Sequence, residues 1–455
     1  MEMYTIPVKE SEGTNKYIIY RPLVGLAFVG NKAMADLTRS VLRNATTRNL
    51  VDPSVDFLQR IGFLEPDPLP DSPPDGEFRP ITAVLLLTNQ CQLRCTYCYA
   101  AAGESARQEL SPDLAKVAID YVCENAQKLG KDSFELNFHG GGEPTIAWKT
   151  MEACVAYARE KPLPATITLQ SNGIWSAKKR AWLLHHLDNL SLSMDGSAQT
   201  QNHQRPYIRG RGSFHQVTQT IEALDRHKFA YGIRMTATAP WKHLPLDVRF
   251  LCESTQCQSM QVEPAFNIQR GGHKSPGLAE ARGFAEAFVE ASDVAAQAGR
   301  SLIYSGARLG QVTVAFCMAP FDALIVAPSG DIVTCYEVTT AAHSLSGLST
   351  IGRIDQGRIQ INATFRNTLH MKMAERRALC KSCFCYWSCA GDCYARTFEA
   401  GEEGHLQYGA RCEANRFITE KLLLGAIAAG DGVWNPHQRR FAPNRQLSSA
   451  EVPLS

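Results

Sequence analysis

Along the first 64 residues the apolar positions change period. Lys16–Pro22 reads as extended, apolar residues recur at helical spacing through Ala33–Leu42, and Val55–Leu64 reads as an amphipathic helix. Residues 1–64 thus predict a small mixed α/β unit. Pro66, Pro68, Pro70, Pro73, Pro74 and Pro80 then follow with Asp between them. Locked φ angles and missing N–H groups support neither a helix nor a ladder, so residues 65–80 read as a semi-extended linker.

From Ile81 the pattern alternates. Short β-rich runs occur at Ala83–Thr88, Phe134–Phe138, Thr166–Gln170, Leu190–Met194, Tyr231–Thr238 and Met260–Glu263. Helical stretches such as Pro112–Lys128, Trp148–Arg159, Ala177–Leu187 and Phe214–His227 separate them. Strands joined by helical crossovers predict an α/β fold with a parallel sheet, curled over residues 81–310 into a partial (β/α)6 TIM-type barrel. In such folds reactive residues stand on loops at the carboxyl ends of strands. Past Cys317 the helical rhythm fades and cysteines crowd, giving a cysteine-rich unit over 311–430. Residues 431–455 are polar, with scattered Pro and no periodicity, and predict an extended or mobile tail.

Composition adds two facts. Among 455 residues, 47 are Lys or Arg and 45 are Asp or Glu, a net charge of +2 that gives no long-range pull toward nucleic acid or an anionic membrane. No apolar run is long enough to span a bilayer, and Met1-Glu2-Met3-Tyr4 opens no secretory signal, so the expected location is cytoplasmic. There are, however, 15 cysteines. In a reducing compartment so many thiols point to metal rather than to disulfides.

Right after the first barrel strand comes Cys91-Gln-Leu-Arg-Cys95-Thr-Tyr97-Cys98. Three thiolates in one loop can hold three corners of a cubane iron–sulfur cluster and leave the fourth iron open to a ligand. Zinc is the plain alternative, although it usually takes a fourth side chain nearby. CxxxCxxC with an aromatic before its last cysteine resembles the radical S-adenosylmethionine (radical SAM) enzymes. That resemblance extends along residues 81–270. Gly140-Gly141-Gly142-Glu143-Pro144 follows the second strand and matches the family's GGEP element, and Gln170-Ser171-Asn172-Gly173 follows the third. Ser193-Met194-Asp195-Gly196 follows the fourth, then come Arg205 and Gly212-Ser213-Phe214. The resemblance implies S-adenosylmethionine on the open iron, contacted by Tyr97, Gly141, Gly142, Glu143, Asn172, Ser193, Asp195, Arg205 and Arg234. For either arginine a surface ion pair is an equal alternative. His139 reads as a turn stabiliser.

The second constellation is Cys317 and Cys335 flanking Gly330, then Cys380-x2-Cys383-x5-Cys389-x3-Cys393, and Cys412. It resembles the seven-cysteine SPASM extension of peptide-modifying radical SAM enzymes, with zinc again the plain alternative. The resemblance implies two auxiliary [4Fe–4S] clusters, three in all. Cys380, Cys383, Cys389 and Cys412 would hold the outer one, and Cys317, Cys335 and Cys393 the inner one. A fourth inner ligand is missing from Met318–Ala323, and Cys385 is a poor substitute.

This family mostly acts on peptides or proteins. The expected activity is maturation of a ribosomally made precursor peptide through an oxidative intrapeptide cross-link, with flavodoxin or ferredoxin as electron donor. The alternatives are Cys or Ser oxidation of the sulfatase-maturase type and a small-molecule radical dehydrogenase. Where the sulfatase-maturing branch places a basic Asp after the cysteine, this chain has Tyr336, then Glu337; these are the catalytic candidates. The N-terminal unit resembles, in size and rhythm, the winged-helix-like elements that hold a leader peptide against a strand edge.

Overall fold

The computed structural model describes residues 1–8, 15–44, 51–73, 76–266, 270–271, 276–398 and 409–436. Its N-terminal strands β1 (Tyr4–Pro7), β2 (Lys16–Arg21) and β3 (Leu26–Asn31) pair antiparallel in chain order. Helices Lys32–Arg43 and Pro53–Arg60 follow, with Asn31 capping the first through the Met34 N–H and Asp52 the second through the Ser54 N–H. The Arg21 side chain is fully buried and donates to the carbonyls of Phe63 and Glu65 and to the Asp67 carboxylate, fastening the sheet to the start of the proline-rich segment.

The barrel strands are β4 (Thr82–Leu85), β5 (Phe134–Phe138), β6 (Ala165–Ser171), β7 (Asn189–Ser193), β8 (Gly232–Ala237), β9 (Ser259–Pro264) and β10 (Ser301–Ile303). They are parallel neighbours in chain order, one strand more than the sequence pattern indicates. Crossover helices begin where caps allow. Ser111 accepts from the Leu114 N–H ahead of helix Pro112–Lys128, and Ser176 from the Lys179 N–H ahead of helix Ala177–His186. The period-2 pleat separates two environments. Phe134, Leu136 and Phe138 of β5 and Ile233, Met235 and Ala237 of β8 enter the core under the helices. Glu135, Asn137, Arg234 and Thr236 take the opposite, barrel-interior face. That interior is polar, as a reaction chamber requires and a packed core forbids.

The sheet continues past β10. β11 (Ala323–Val326) pairs parallel with β4, and β12 (Asp331–Val333), β13 (Thr350–Asp355) and β14 (Arg358–Ile361) extend it antiparallel. Backbone hydrogen bonds thus weld the cysteine-rich segment to the barrel. That segment also holds two long helices, Ala363–Ala378 and Ala410–Ala429, where the sequence pattern shows a fading rhythm. The first buries only Arg366 and Leu369, and the second buries Asn415 and Thr419 among its apolar residues, so neither has a clean apolar stripe. The tail expected from residue 431 begins instead with strand β15 (Val433–Trp434), paired with Phe28 and Ala27 of β3. Trp434 anchors it by packing 6.1 Å from the Tyr20 ring; residues 437–455 lie outside the described residues. No described helix is long and apolar enough to cross a membrane.

Replacing Arg21 by Ala leaves two carbonyls without their side-chain donor and Asp67 with only the Glu2 N–H and the Met1 ammonium. Loss of a buried partner of this kind costs about 3 kcal/mol, so amide exchange across Ile18–Tyr20 should accelerate roughly a hundredfold. Unchanged exchange by mass spectrometry would show that the tether is dispensable.

Candidate active site

The loop carrying Cys91, Cys95 and Cys98 leaves the carboxyl end of β4 and is fixed by backbone hydrogen bonds on both sides. The Arg94 and Thr96 N–H groups donate to the carbonyls of Pro206 and Gln204 at 2.7 and 2.9 Å, and Gly103 N–H donates to Asn89 at 2.8 Å. Arg94 folds back onto the carbonyls of Cys91, Leu93 and Gly103, while Arg270 reaches the carbonyls of Cys95 and Ala102. Neither arginine stands out in the sequence, and Arg270 carries no signal at all because its partner is 175 positions away.

The glycine loop packs closely against the backbone that leads into the cysteine loop. Gly142 and Glu143 donate backbone N–H groups to the carbonyls of Thr88 and Gln90 at 2.7 and 2.8 Å. A Cβ at Gly142 would stand 2.1 Å from the Gln90 oxygen, and one at Gly141, whose φ is +68°, would stand 2.9 Å from that of Thr88. These glycines therefore let one loop seat against the backbone that leads into Cys91.

The Glu143 carboxylate is buried. Its Oε1 accepts from the Thr145 N–H and hydroxyl and from the Ser171 hydroxyl, and its Oε2 from the Asn172 N–H. Burial raises its pKa against the pull of those donors. Asn172 continues the chain of contacts, its Nδ2 lying 3.6 Å from Cys91 Sγ and its Oδ1 accepting from Gln92.

At the end of β7, Asp195 is the hub. Its Oδ2 accepts from Tyr97 Oη at 2.5 Å, Gln204 Nε2 at 3.0 Å and Arg205 Nε at 2.9 Å, and its Oδ1 from the Thr236 N–H at 2.9 Å. Burial works against the Arg205 charge, yet Asp195, Tyr97 and Cys95 together hold its pKa above the usual value. Arg205 Nη1 approaches Cys95 Sγ at 3.9 Å, and its guanidinium lies 5.4 Å from the centre of the Tyr97 ring. Ser193 is buried just before this hub. A cavity of about 230 Å³ opens beside it, lined by Asp195, His203, Gln204, Thr236, Thr238 and Asp247 among others.

The three thiols suit an iron–sulfur cluster. Burial, with the neighbouring charges of Cys95 and Glu143, pushes Cys91 up to about 12, and burial pushes Cys95 to about 11 against Arg205. Such thiols ionise when iron supplies the positive charge, and the Leu93 N–H 3.4 Å from Cys91 Sγ is a ready donor to the thiolate.

Toward the cysteine-rich segment, Tyr336 packs its backbone under Gly140 and its ring edge-on against His139, with centroids 4.5 Å apart. His139 Nδ1 is buried with no partner among the described residues, so this side chain does not brace a turn through that nitrogen. Burial and the Arg234 charge lower its pKa to about 3. Arg234 donates to Gln261 and lies within electrostatic reach of Tyr99, Cys317 and Tyr336. Tyr99 follows Cys98 directly and feels Glu337 and Cys335, which places it between the two cysteine regions. Motif spacing alone passes over it. Glu337 is ion-paired with Arg396 at 2.9 Å.

The C-terminal cysteines form two groups. Cys335 senses the charges of Cys393 and Cys317. Cys380 senses Cys383, Cys389 senses Cys412, and Cys412 senses Cys380. Cys385 stands beside this second group, its side chain hydrogen-bonded to Cys383 and within electrostatic reach of Cys389, with its sulfur also 3.4 Å from the Thr419 hydroxyl under helix Ala410–Ala429.

A parallel barrel with a polar interior, and with thiols and carboxylates on loops at the strand carboxyl ends, has the site architecture of an α/β-barrel enzyme. Residues 85–238 match the Radical SAM superfamily. The chain is 25% identical over 339 residues to mycofactocin maturase MftC of Mycobacterium tuberculosis, covering 71% of this chain and 80% of that one. It is 30% identical over 178 residues to the sporulation killing factor maturation protein SkfB of Bacillus subtilis, covering 38% and 40%. Among solved structures the fold is similar to anSMEcpe with bound AdoMet, at TM-score 0.61 and 17% identity over 77% of this chain and 99% of that one. It is also similar to Streptococcus suis SuiB bound to precursor peptide SuiA, at TM-score 0.50 and 13% identity over 90% and 99%. Residues 85–238 thus carry a radical SAM domain, and the protein is an enzyme that uses S-adenosylmethionine with a [4Fe–4S] cluster.

Because His139 is held neutral when folded, its contribution to stability is complete above an unfolded pKa near 6.5 and is lost as pH falls from there toward about 3. At pH 5 the loss amounts to about 2 kcal/mol. His139→Gln should therefore flatten the fall in melting temperature between pH 7 and 5, and a slope equal to the parent's would count against a neutral buried imidazole.

Proposed function

We propose that this enzyme is a radical SAM/SPASM maturase that forms an oxidative intrapeptide cross-link, a thioether or carbon–carbon bond, in a ribosomally made precursor peptide. The observation that carries this reading is the position of Tyr336, which seats the Cys317–Cys335–Cys393 group directly against the barrel's glycine loop. A substrate entering between the two cysteine regions would meet Tyr99, His139, Arg234, Tyr336 and Glu337. Names of relatives point the same way: MftC and SkfB are maturation proteins, and SuiB is bound to a precursor peptide.

In this reading Cys91, Cys95 and Cys98 hold the first cluster. S-adenosylmethionine lies against Tyr97, Gly141, Gly142, Asn172, Ser193, Asp195, Arg205 and Arg234, with Glu143 holding the loops around it. The cavity beside Asp195 is suited to part of the nucleoside. Bound there, the cofactor supplies a 5′-deoxyadenosyl radical, which takes one hydrogen atom from a substrate carbon. Joining that carbon to a second peptide atom releases a proton and an electron. Cys317, Cys335 and Cys393 would hold an inner auxiliary [4Fe–4S] cluster and Cys380, Cys383, Cys389 and Cys412 an outer one, which would supply an acceptor for that electron. Flavodoxin or ferredoxin would be the electron donor for the first cluster. A leader strand would dock at β1, or replace β15 on β3. Glu337, paired with Arg396, is the carboxylate placed to take a proton beside the inner group.

Anaerobic co-expression with short peptides encoded beside the gene should yield a peptide lighter by about two daltons per event. If every neighbouring peptide keeps its mass, and deuterium labelling excludes epimerisation, peptide cross-linking is wrong. The purified protein should carry about twelve irons, and Cys95→Ala about eight, with 5′-deoxyadenosine formation abolished. A Cys95→Ala protein that still forms 5′-deoxyadenosine at the parent rate would remove the first-cluster assignment.

A further inference from the structure

Arg308 is a half-buried cation of the cysteine-rich region that forms no ion pair among the described residues. Its Nε donates to the Ser388 carbonyl at 3.1 Å, one residue before Cys389. Its guanidinium carbon lies 5.3 Å from the ring centre of Phe316, one residue before Cys317. The side chain thus spans from the inner group to the outer group. Its Nη2 is buried and has no hydrogen-bond partner among the described residues. The nearest acids are committed elsewhere: Asp392 receives both Nε and Nη2 of Arg411 at 2.9 and 3.0 Å, and Glu263 accepts from Ser305 and Gln261. The negative groups that reach Arg308 electrostatically are Cys389 and Cys317 first, then Glu263 and Asp392.

A buried guanidinium is costly unless an anion compensates it. Thiolate-bound iron–sulfur clusters carry net negative charge, and each added electron makes them more negative. We propose that Arg308 is the electrostatic link between the two auxiliary clusters: its charge compensates both and raises their reduction potentials, so that they can take the electron released from substrate. This rests on the reading that both C-terminal cysteine groups hold clusters. Arg308 touches neither substrate nor S-adenosylmethionine; it acts through the clusters.

The test is a redox titration followed by electron paramagnetic resonance on the parent, Arg308→Gln and Arg308→Lys, with iron counted in each. With full iron in Arg308→Gln, the oxidised-to-reduced balance of at least one auxiliary cluster should shift about tenfold toward the oxidised form, a fall of ~59 mV for one electron. Arg308→Lys should keep most of the parent potential. Auxiliary iron lost from Arg308→Gln but kept in Arg308→Lys would also support the link, since charge alone separates those variants. Unchanged potentials with full iron would overturn it. So would loss of auxiliary iron from both variants, which marks a packing role. A parent with only about four irons would instead overturn the three-cluster reading on which the link stands.

Discussion

The carboxylate of Asp195 sits where three stretches of chain meet. Tyr97 comes from the cysteine loop, Gln204 and Arg205 from the segment after β7, and the Thr236 N–H from β8. A buried carboxylate is stable only when its lone pairs are filled and its charge is matched. Satisfying Asp195 therefore requires all three segments to be in register. The same residues lock the loop that holds Cys95, because Arg205 extends from Asp195 to that sulfur and the Gln204 carbonyl accepts from Thr96. Glu143 performs the equivalent task on the other side of the loop, joining β5 to β6 through Ser171 and Asn172. The two acids thus position the reactive thiols from opposite flanks.

Around this centre strands β5 to β9 keep polar and apolar faces apart, while β4 is apolar on both, with Val84 packed against the cysteine-rich segment. The helices cover the large side chains of β5 to β9, leaving charged and amide residues to the interior. Such an interior can exist only if something fills it or closes it. Tyr336 closes one side, brought there because β11 pairs with β4 and carries the chain between Cys317 and Cys335 across the barrel. Radical chemistry gains from this closure, since a reactive carbon radical must meet its intended partner before solvent or protein.

The cysteine-rich region shows a second electrostatic logic. Arg376 and Arg377 influence Cys380, Arg416 influences Cys383, and Arg308 stands between the two groups. Some of these cations spread their charge over aromatic faces, as Arg377 does over Tyr386 and Trp387 at 4.3 and 4.9 Å. So much half-buried positive charge is unfavourable on its own. It becomes reasonable once the thiols are ionised and bound to iron, which links the stability of this region to its metal content.

By itself the sequence determined the local elements and the order of the reactive groups. Helix Pro112–Lys128, capped by Ser111, helix Trp148–Arg159 and the strand Phe134–Phe138 are found where the apolar period places them, because such signals act within a few residues of chain. The cysteine motifs were equally legible, since their spacing along one loop is itself the chemical pattern. Only the tertiary structure decided what the polar residues face. Glu143 turns to Ser171 and Asn172, the glycines receive backbone, His139 keeps an unpaired nitrogen, and the supposed tail begins as an added strand. These outcomes depend on partners far apart in sequence, such as Arg270 with the Cys95 carbonyl or Arg308 with that of Ser388. Hydrophobic period encodes which face of an element is buried, but a buried charge is placed by whichever distant segment the fold brings to it.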